Sequence, residues 1–390
     1  MPASITDPDF PSDRYALYAR LHAETPVFWD ERARAFLIAG FDDVSLGYRS
    51  PKLSARRVEA FARAWSEEAR REVRPLVDSL SLWILFQDPP DHTRLRTIMM
   101  KAFTPKVVES MRPRIQALVD RMLDEAGARA ARAGGFDVVR DLAFPLPATV
   151  ILELLGIPLP DRDRFKAWSS DIARLVTNLT AQEDALVAKR AVVEMGEYFA
   201  PLFAARRASP QDDLVSALIA ATDRGDVLSD AELLANCVLL MFAGHETTTN
   251  LIGNGVLALL QHPEQRARLV GEPSLIGSAV EELLRYEAPV QLMRRTTLEP
   301  LEMSGVTIPA GSLVGLLIGA ANRDPKAFPE PERLDLARKP RHAAFGFGPH
   351  FCIGAALARA EGEIAIETLF RRFPDLRLAD AQPRWKPNAA

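Results

Sequence analysis

The 390-residue sequence predicts one mainly α-helical domain with small β-sheets and a long central helix. Three observations carry that reading. Apolar residues recur at helical spacing over 12–24, 54–79, 91–100, 104–132, 146–155, 160–208, 229–261, 274–287 and 353–373. Strand signals are sparse: Val27–Trp29, Ala35–Ile38, and then 292–318, where Thr, Val and Ile alternate around S-G and P-A-G turns. The periodic run at 229–261 is long enough to cross a domain, about 48 Å at roughly 1.5 Å per residue.

Taken in order, the first thirteen residues are polar and proline-rich, neither a signal peptide nor a membrane anchor, and no run of about 18 apolar residues follows anywhere. The 229–261 helix opens after Ser229-Asp230, good N-cap residues, with Glu232 near N3 as in a capping box, and stops before His262-Pro263. Proline and glycine punctuate 321–352 so heavily that it reads as irregular coil. The last helix ends at Pro374.

Composition narrows the class. With 48% hydrophobic and 26% charged residues the chain can bury a large core, and neither repeats nor low-complexity linkers divide it, so residues 1–390 read as a single domain. A net charge of −4 and the lack of a dense basic tract exclude a nucleic-acid binder. Two cysteines without C-x-x-C spacing build neither a zinc nor an iron–sulfur site, nor a disulfide-stapled secreted fold, so a soluble, cytoplasmic protein is expected. Cys237, in L-L-A-N-C-V-L-L-M, reads as a small buried apolar residue.

Cys352 reads differently. It lies in F-G-F-G-P-H-F-C-I-G, residues 345–354, just before a helix. Gly346 and Gly348 let the backbone take positive φ or pass close to a flat ligand. Free amides and the dipole at a helix start favour thiolate over thiol, and a thiolate so held suits a soft metal such as haem iron. The decapeptide resembles the haem-binding loop of the cytochrome P-450 superfamily, F-x-x-G-x-[HR]-x-C-x-G, at every defined position. The resemblance implies the P-450 fold, with its coil before the cysteine, and haem b as cofactor. It makes Cys352 the iron ligand and sets Phe345, Gly346 and Gly354 against the haem.

A second string, Met241-Phe-Ala-Gly-His-Glu-Thr-Thr248, lies mid-helix. A glycine that thins a helix for packing, a solvated acid and a threonine bonded to a carbonyl one turn back would also produce it. It is similar to the family's oxygen-activation motif, A-G-x-[DE]-T. That likeness implies that Ala243 and Gly244 make room for dioxygen, that the Thr247 hydroxyl supports proton delivery, and that Glu246 links it to solvent. His245 is expected to be packed away.

Two further sets follow from the resemblance. Glu282 and Arg285, at i and i+3 on one helix face, match the family's structural salt bridge, with Arg333 of P-E-R-L in the place of its third partner. Haem propionates need cationic donors, and the family positions fall on His92 and Arg96, four apart in D-H-T-R-L-R, on Arg295, and on His350. The expected pocket lining is apolar: Leu82 to Phe86, parts of 165–180, Leu239 to Ala243, Thr248 and Val290–Met293 (with Leu292 among them), with Gln291 and Asn178 as polar partners.

The implied function is a monomeric haem-thiolate monooxygenase that uses O2 to hydroxylate or epoxidise a medium-sized, mostly apolar molecule: a macrolide or polyketide, terpenoid, steroid or fatty acid of bacterial secondary metabolism. No dinucleotide fingerprint or flavin domain is present, so electrons are expected from a separate ferredoxin or flavodoxin. Arg94, Lys101, Arg112, Arg114 and Arg359 are candidate docking cations. A peroxide-using haem peroxygenase is the alternative, which Glu246-Thr247 argues against; a non-catalytic haem-binding auxiliary or sensor protein is another. The family's C-terminal hairpin is expected to be short or trimmed, since the chain stops soon after Trp385.

Overall fold

The computed structural model describes residues 4–7, 9–58, 65–177, 182–379 and 385. In chain order the elements are α1 (Phe10–Glu24), β1 (Val27–Asp30), β2 (Ala35–Ile38), α2 (Phe41–Arg49), β3 (Leu53–Ser54), α3 (Glu67–Glu72), α4 (Arg74–Ser81), α5 (Asp91–Ala102) and α6 (Pro105–Ala133). Then come α7 (Pro145–Leu154), α8 (Arg162–Thr177), α9 (Gln182–Ala208), α10 (Leu214–Ala220), α11 (Asp230–Gln261), α12 (Pro263–Gly271) and α13 (Ile276–Tyr286). The chain closes with β4 (Leu292–Thr297), β5 (Leu301–Met303), β6 (Val306–Ile308), β7 (Leu313–Leu317), α14 (Ile318–Ala321) and α15 (Ala355–Arg372). The backbone separates into two compact units, one of residues 1–54, 112–143 and 247–390, the other of 55–111 and 144–246.

The first unit is built on a five-stranded sheet in the order β1-β2-β7-β4-β3, parallel only between β2 and β7. Its strands alternate as a two-sided sheet requires. Leu37 and Leu317 point to a core shared with Leu17, Tyr18 and Leu21 of α1, while Ile38, Val314 and Leu316 point to one shared with Val44 and Tyr48 of α2. That second core also takes in Ala343 and Phe347, so the sheet anchors the loop leading to Cys352. β5 and β6 form a hairpin turned by Ser304 and Gly305, both at positive φ, as a tight two-residue turn demands.

The second unit is helical. α9 packs on α8, α4 and α10, and α8 on α7. Phe165 and Trp168 of α8 meet Tyr198 and Phe199 of α9 with ring centroids 4.8–6.2 Å apart, mostly edge to face. The capping box at the start of α11 forms as its spacing predicts: the Glu232 amide donates to Ser229 Oγ at 3.2 Å, and the Ser229 amide donates back to Glu232 Oε2 at 2.9 Å.

Several boundaries differ from expectation. The 54–79 run is interrupted at Val73, where Pro75 starts a new helix, and part of it lies outside the described residues. The 160–208 run is two helices, with 178–181 outside the described residues. Short helices at Phe41–Arg49, Leu214–Ala220, Pro263–Gly271 and Ile318–Ala321 were not anticipated, since two or three turns carry little periodic signal. The region 322–352 is irregular, as its composition predicts, with a single 3-10 turn at Gly348–His350.

Candidate active site

The cysteine loop belongs to the first unit. Gly346 and Gly348 take left-handed φ of 68° and 65°. A Cβ at Gly346 would sit 3.1 Å from the Tyr48 ring, and one at Gly348 would sit 3.0 Å from Arg49 Cγ, so both glycines are needed to seat the loop on α2. The Cys352 amide closes the loop by donating to the Phe345 carbonyl at 3.0 Å. Arg359 lies over the Phe345 ring at 4.5 Å, and Arg49 over Phe347 at 4.9 Å. The outcome is an exposed thiol three residues ahead of α15, where the first turn's amides are free of intrahelical partners. Cys237, by contrast, is wholly buried in α11, and loss of solvent pushes its thiol pKa far up.

Arg295 is on β4 of the same unit, 2% exposed, with Nη1 donating to the Arg294 carbonyl at 2.9 Å and its guanidinium 5.8 Å from the Tyr48 ring centroid. His350 sits half-buried in the turn before the cysteine. In the second unit, His92 (buried) and Arg96 (half-buried) share one face of α5.

The motif string lies at the middle of α11. Ala243, Gly244, Glu246 and Thr247 are half-buried; His245 is buried, with its ring edge-on to Phe144 at 4.2 Å. A Cβ at Gly244 would reach Ile151 of α7 at 3.5 Å, an ordinary contact, so packing does not dictate glycine there. Gly255, further along, is different: its Cβ would press on Ile366 at 3.1 Å and Leu283 at 3.2 Å.

Two asparagines that sequence reasoning passed over organise the expected pocket segments. Asn236 of α11, wholly buried, accepts from the Ile84 amide at 3.0 Å and donates to the Leu82 carbonyl at 3.1 Å, pinning the segment that carries Leu82 and Phe86. Asn250 donates to the Pro289 carbonyl at 3.2 Å, beside Val290. A polar residue within an apolar helical run was the available signal. Leu239 and Thr248 are buried on α11; Leu292 and Met293 are half-buried on β4.

Gln291 has partners within the chain: its Oε1 accepts from Tyr18 at 3.1 Å, and its Nε2 donates to the Ala288 carbonyl at 2.7 Å and Glu287 at 3.3 Å. One expectation needs correction. Arg333 is not the third member of the Glu282–Arg285 pair. Its guanidinium faces Glu330 at 3.3 Å, and only its carbonyl accepts from Arg285; the side chain that reaches Glu282 is Arg338, at 3.2 Å. Five residues of coil carry Arg338 back to the pair, a return that no local pattern encodes. Asn178 lies outside the described residues, as does most of the C-terminal segment, of which Trp385 is described under Arg14 at 4.4 Å.

The expected docking cations are mostly engaged. Arg94 pairs with Glu232, Lys101 with Asp223 at 2.7 Å, Arg112 with Glu363 at 2.9 Å, and Arg359 with Glu281 at 2.6 Å. Such pairs leave little net charge on each spot.

The chain matches the cytochrome P-450 family model over residues 56–387. It belongs to the cytochrome P-450 family. Cytochrome P-450 107B1 of Saccharopolyspora erythraea is 43% identical, over 97% of this chain and 93% of that protein. The vitamin D(3) 25-hydroxylase of Pseudonocardia autotrophica is also 43% identical, over 93% of this chain and 87% of that protein. The crystal structure of P-450 BioI, in complex with an acyl carrier protein ligated to hexadec-9Z-enoic acid, superposes with a TM-score of 0.88 at 36% identity, covering 97% of this chain and 95% of that one. This P-450 is accordingly a monooxygenase of a haem-iron family. The chemistry of the first unit's residues agrees with haem: one soft sulfur just ahead of a helix, and a buried arginine, Arg295, of the type that meets carboxylates. Among the described residues no helix is long and apolar enough to cross a membrane.

Proposed function

We propose that this P-450 binds haem b through the Cys352 thiolate and uses O2, with electrons from a ferredoxin or flavodoxin, to hydroxylate or epoxidise a medium-sized, mostly apolar molecule. The observation that carries the reading is the cysteine loop. An exposed thiol is seated on α2 by two left-handed glycines and delivered to the start of α15. His92, Arg96, Arg295 and His350 are the proposed propionate partners, and Phe345, Gly346 and Gly354 line the cofactor. Once bound, the haem supplies the oxygen chemistry. The chain's own residues orient substrate and manage protons. Ala243 and Gly244 keep α11 thin where dioxygen is to sit, the Thr247 hydroxyl holds a proton for delivery, and Glu246 exchanges protons with solvent.

The substrate reading is supported by the chemistry of Leu82, Phe86, Leu239, Thr248, Val290, Leu292 and Met293, apolar but for one hydroxyl. It is further supported by relatives whose names specify a vitamin D hydroxylase and a fatty-acyl carrier complex. With most basic candidates already paired to acids, the electron donor is expected to dock weakly and in a salt-dependent way.

The absorption spectrum of the purified protein, reduced under carbon monoxide, tests the reading. The expected result is a strongly red-shifted Soret band that Cys352→Ala abolishes and Cys237→Ala leaves unchanged. A wild-type band at the position typical of histidine-ligated haem, or no haem at all, would overturn it.

A further inference from the structure

We propose that His245 is a positioning residue that fastens the Glu246–Thr247 turn of α11 to α8 through Ser169. The proposal rests on the reading above, in which that turn manages protons. His245 is 3% exposed, and its Nδ1 lies 3.4 Å from Ser169 Oγ, itself buried on α8. A second route reaches the same ring: Phe144 meets the imidazole edge-on at 4.2 Å, and Lys166 of α8 holds its Nζ 4.5 Å over Phe144. Lys166 and Ser169 are three residues apart and share one face of α8, so a single helix face addresses His245 twice.

The chemistry of the residue supports a link over simple filling. A phenylalanine would occupy this space with no polar atom to satisfy, whereas a buried imidazole carries a desolvation cost that only directed bonding offsets. On its neighbouring face, Gly244 meets Ile151 of α7 through apolar contact alone, which carries no directional bond. The tie to α8 is a directional restraint on the rotation of α11 at this point, and a small rotation there moves the Glu246 and Thr247 side chains together. Misplacement of about 1 Å in such groups costs reactivity on the order of a hundredfold.

The holoenzyme and its Ser169→Ala, Ser169→Thr, His245→Phe and Ser169→Ala/His245→Phe variants provide the test. Two quantities are read: amide hydrogen exchange in peptides covering 241–249, and the infrared C–O stretch of the reduced, carbon monoxide-bound protein, which responds to polar groups near the bound gas. Ser169→Ala and His245→Phe are each expected to speed exchange by about three- to tenfold and to shift or broaden the C–O band; the double variant goes no further, and Ser169→Thr behaves as wild type. A simple packing role would leave the C–O band in place. Should His245→Phe fail to fold, the Ser169 pair alone decides. The proposal falls if Ser169→Ala leaves exchange and band unchanged, or if the two single effects add. Failure of the haem-thiolate reading would instead show in the wild-type carbon monoxide spectrum, while the exchange coupling is read from the protein alone.

Discussion

Glu282 on α13 and Glu361 on α15 are both shut away from water, at 0% and 2% exposure, but the two helices treat their carboxylates in opposite ways. Glu282 is surrounded by donors. Arg285 grips it with two bonds of 2.7 and 2.8 Å, the Asp335 amide adds one at 3.1 Å, and Arg338 another at 3.2 Å. Arg285 in turn donates to the carbonyls of Asn322, Pro331 and Arg333 at 2.9–3.1 Å, so the pair ties the irregular coil to a helix. Glu361 has no hydrogen-bond partner for its buried Oε2 among the described residues, and burial pushes its carboxyl pKa well above the ordinary value. A buried acid is held by donors where they are plentiful and is driven toward its protonated form where they are not. The first organises backbone. The second makes stability depend on pH.

The largest effect expected from this contrast is that of Arg285→Ala. It strips the two-bond charge partner from a wholly buried carboxylate, to which only Arg338 then remains as a cation among the described residues. It also removes the Arg285 donor from the carbonyls of Asn322, Pro331 and Arg333, a combined loss of about 3–5 kcal/mol that should appear in urea or thermal unfolding. Unfolding within about 1 kcal/mol of wild type would mean that the coil holds itself.

Glu361→Gln comes next, with the opposite sign. The folded-state pKa of Glu361 is raised above its unfolded value near 4.5. Its contribution is therefore complete below that value and is lost as pH rises toward the folded one. Wherever the unfolded carboxyl is ionised and the folded one is not, folding must take up a proton, and glutamine avoids that cost. The melting temperature of the variant should fall less steeply than that of wild type as pH rises above the unfolded value near 4.5; parallel slopes would show that Glu361 finds a donor. Glu281, beside Glu282, runs the other way. Burial alone would raise it, but bonds from His342 at 3.2 Å and Arg359 at 2.6 Å outweigh this and hold it at about 2, so its contribution is lost as pH falls toward that value.

Legibility in the sequence follows the range of the interactions. The Glu282–Arg285 pair was readable because i, i+3 spacing on a helix places both side chains together before any tertiary structure exists. The long helix, its capping box, the strands at 27–38 and the S-G turn were readable for the same reason, each being set by a period or a cap within a few residues. Glu361 was not. In R-A-E-G-E it is indistinguishable from Glu363, yet two residues turn a helix by about 200°, so Glu363 reaches Arg112 while Glu361 is enclosed. The cysteine loop was legible as chemistry, but its glycines serve partly to fit α2, a contact across some three hundred residues of chain that no motif announces.

The smallest expected effects separate the two arginines that compete for third place beside Glu282. Arg338→Ala removes one bond to the carboxylate and two to the Pro329 and Glu330 carbonyls, but Arg285 remains, so the buried charge stays compensated and the loss should be about 1–2 kcal/mol. Arg333→Ala removes only an exposed contact with Glu330, because the bond that matters at this position runs to the Arg333 backbone carbonyl, which alanine retains; its effect should stay below about 0.5 kcal/mol. Measured together, the two variants test whether the pair is completed by a side chain five residues further along the coil. Equal losses would make the carboxylate's surroundings interchangeable, and a larger loss for Arg333→Ala would return it to the place its motif suggested.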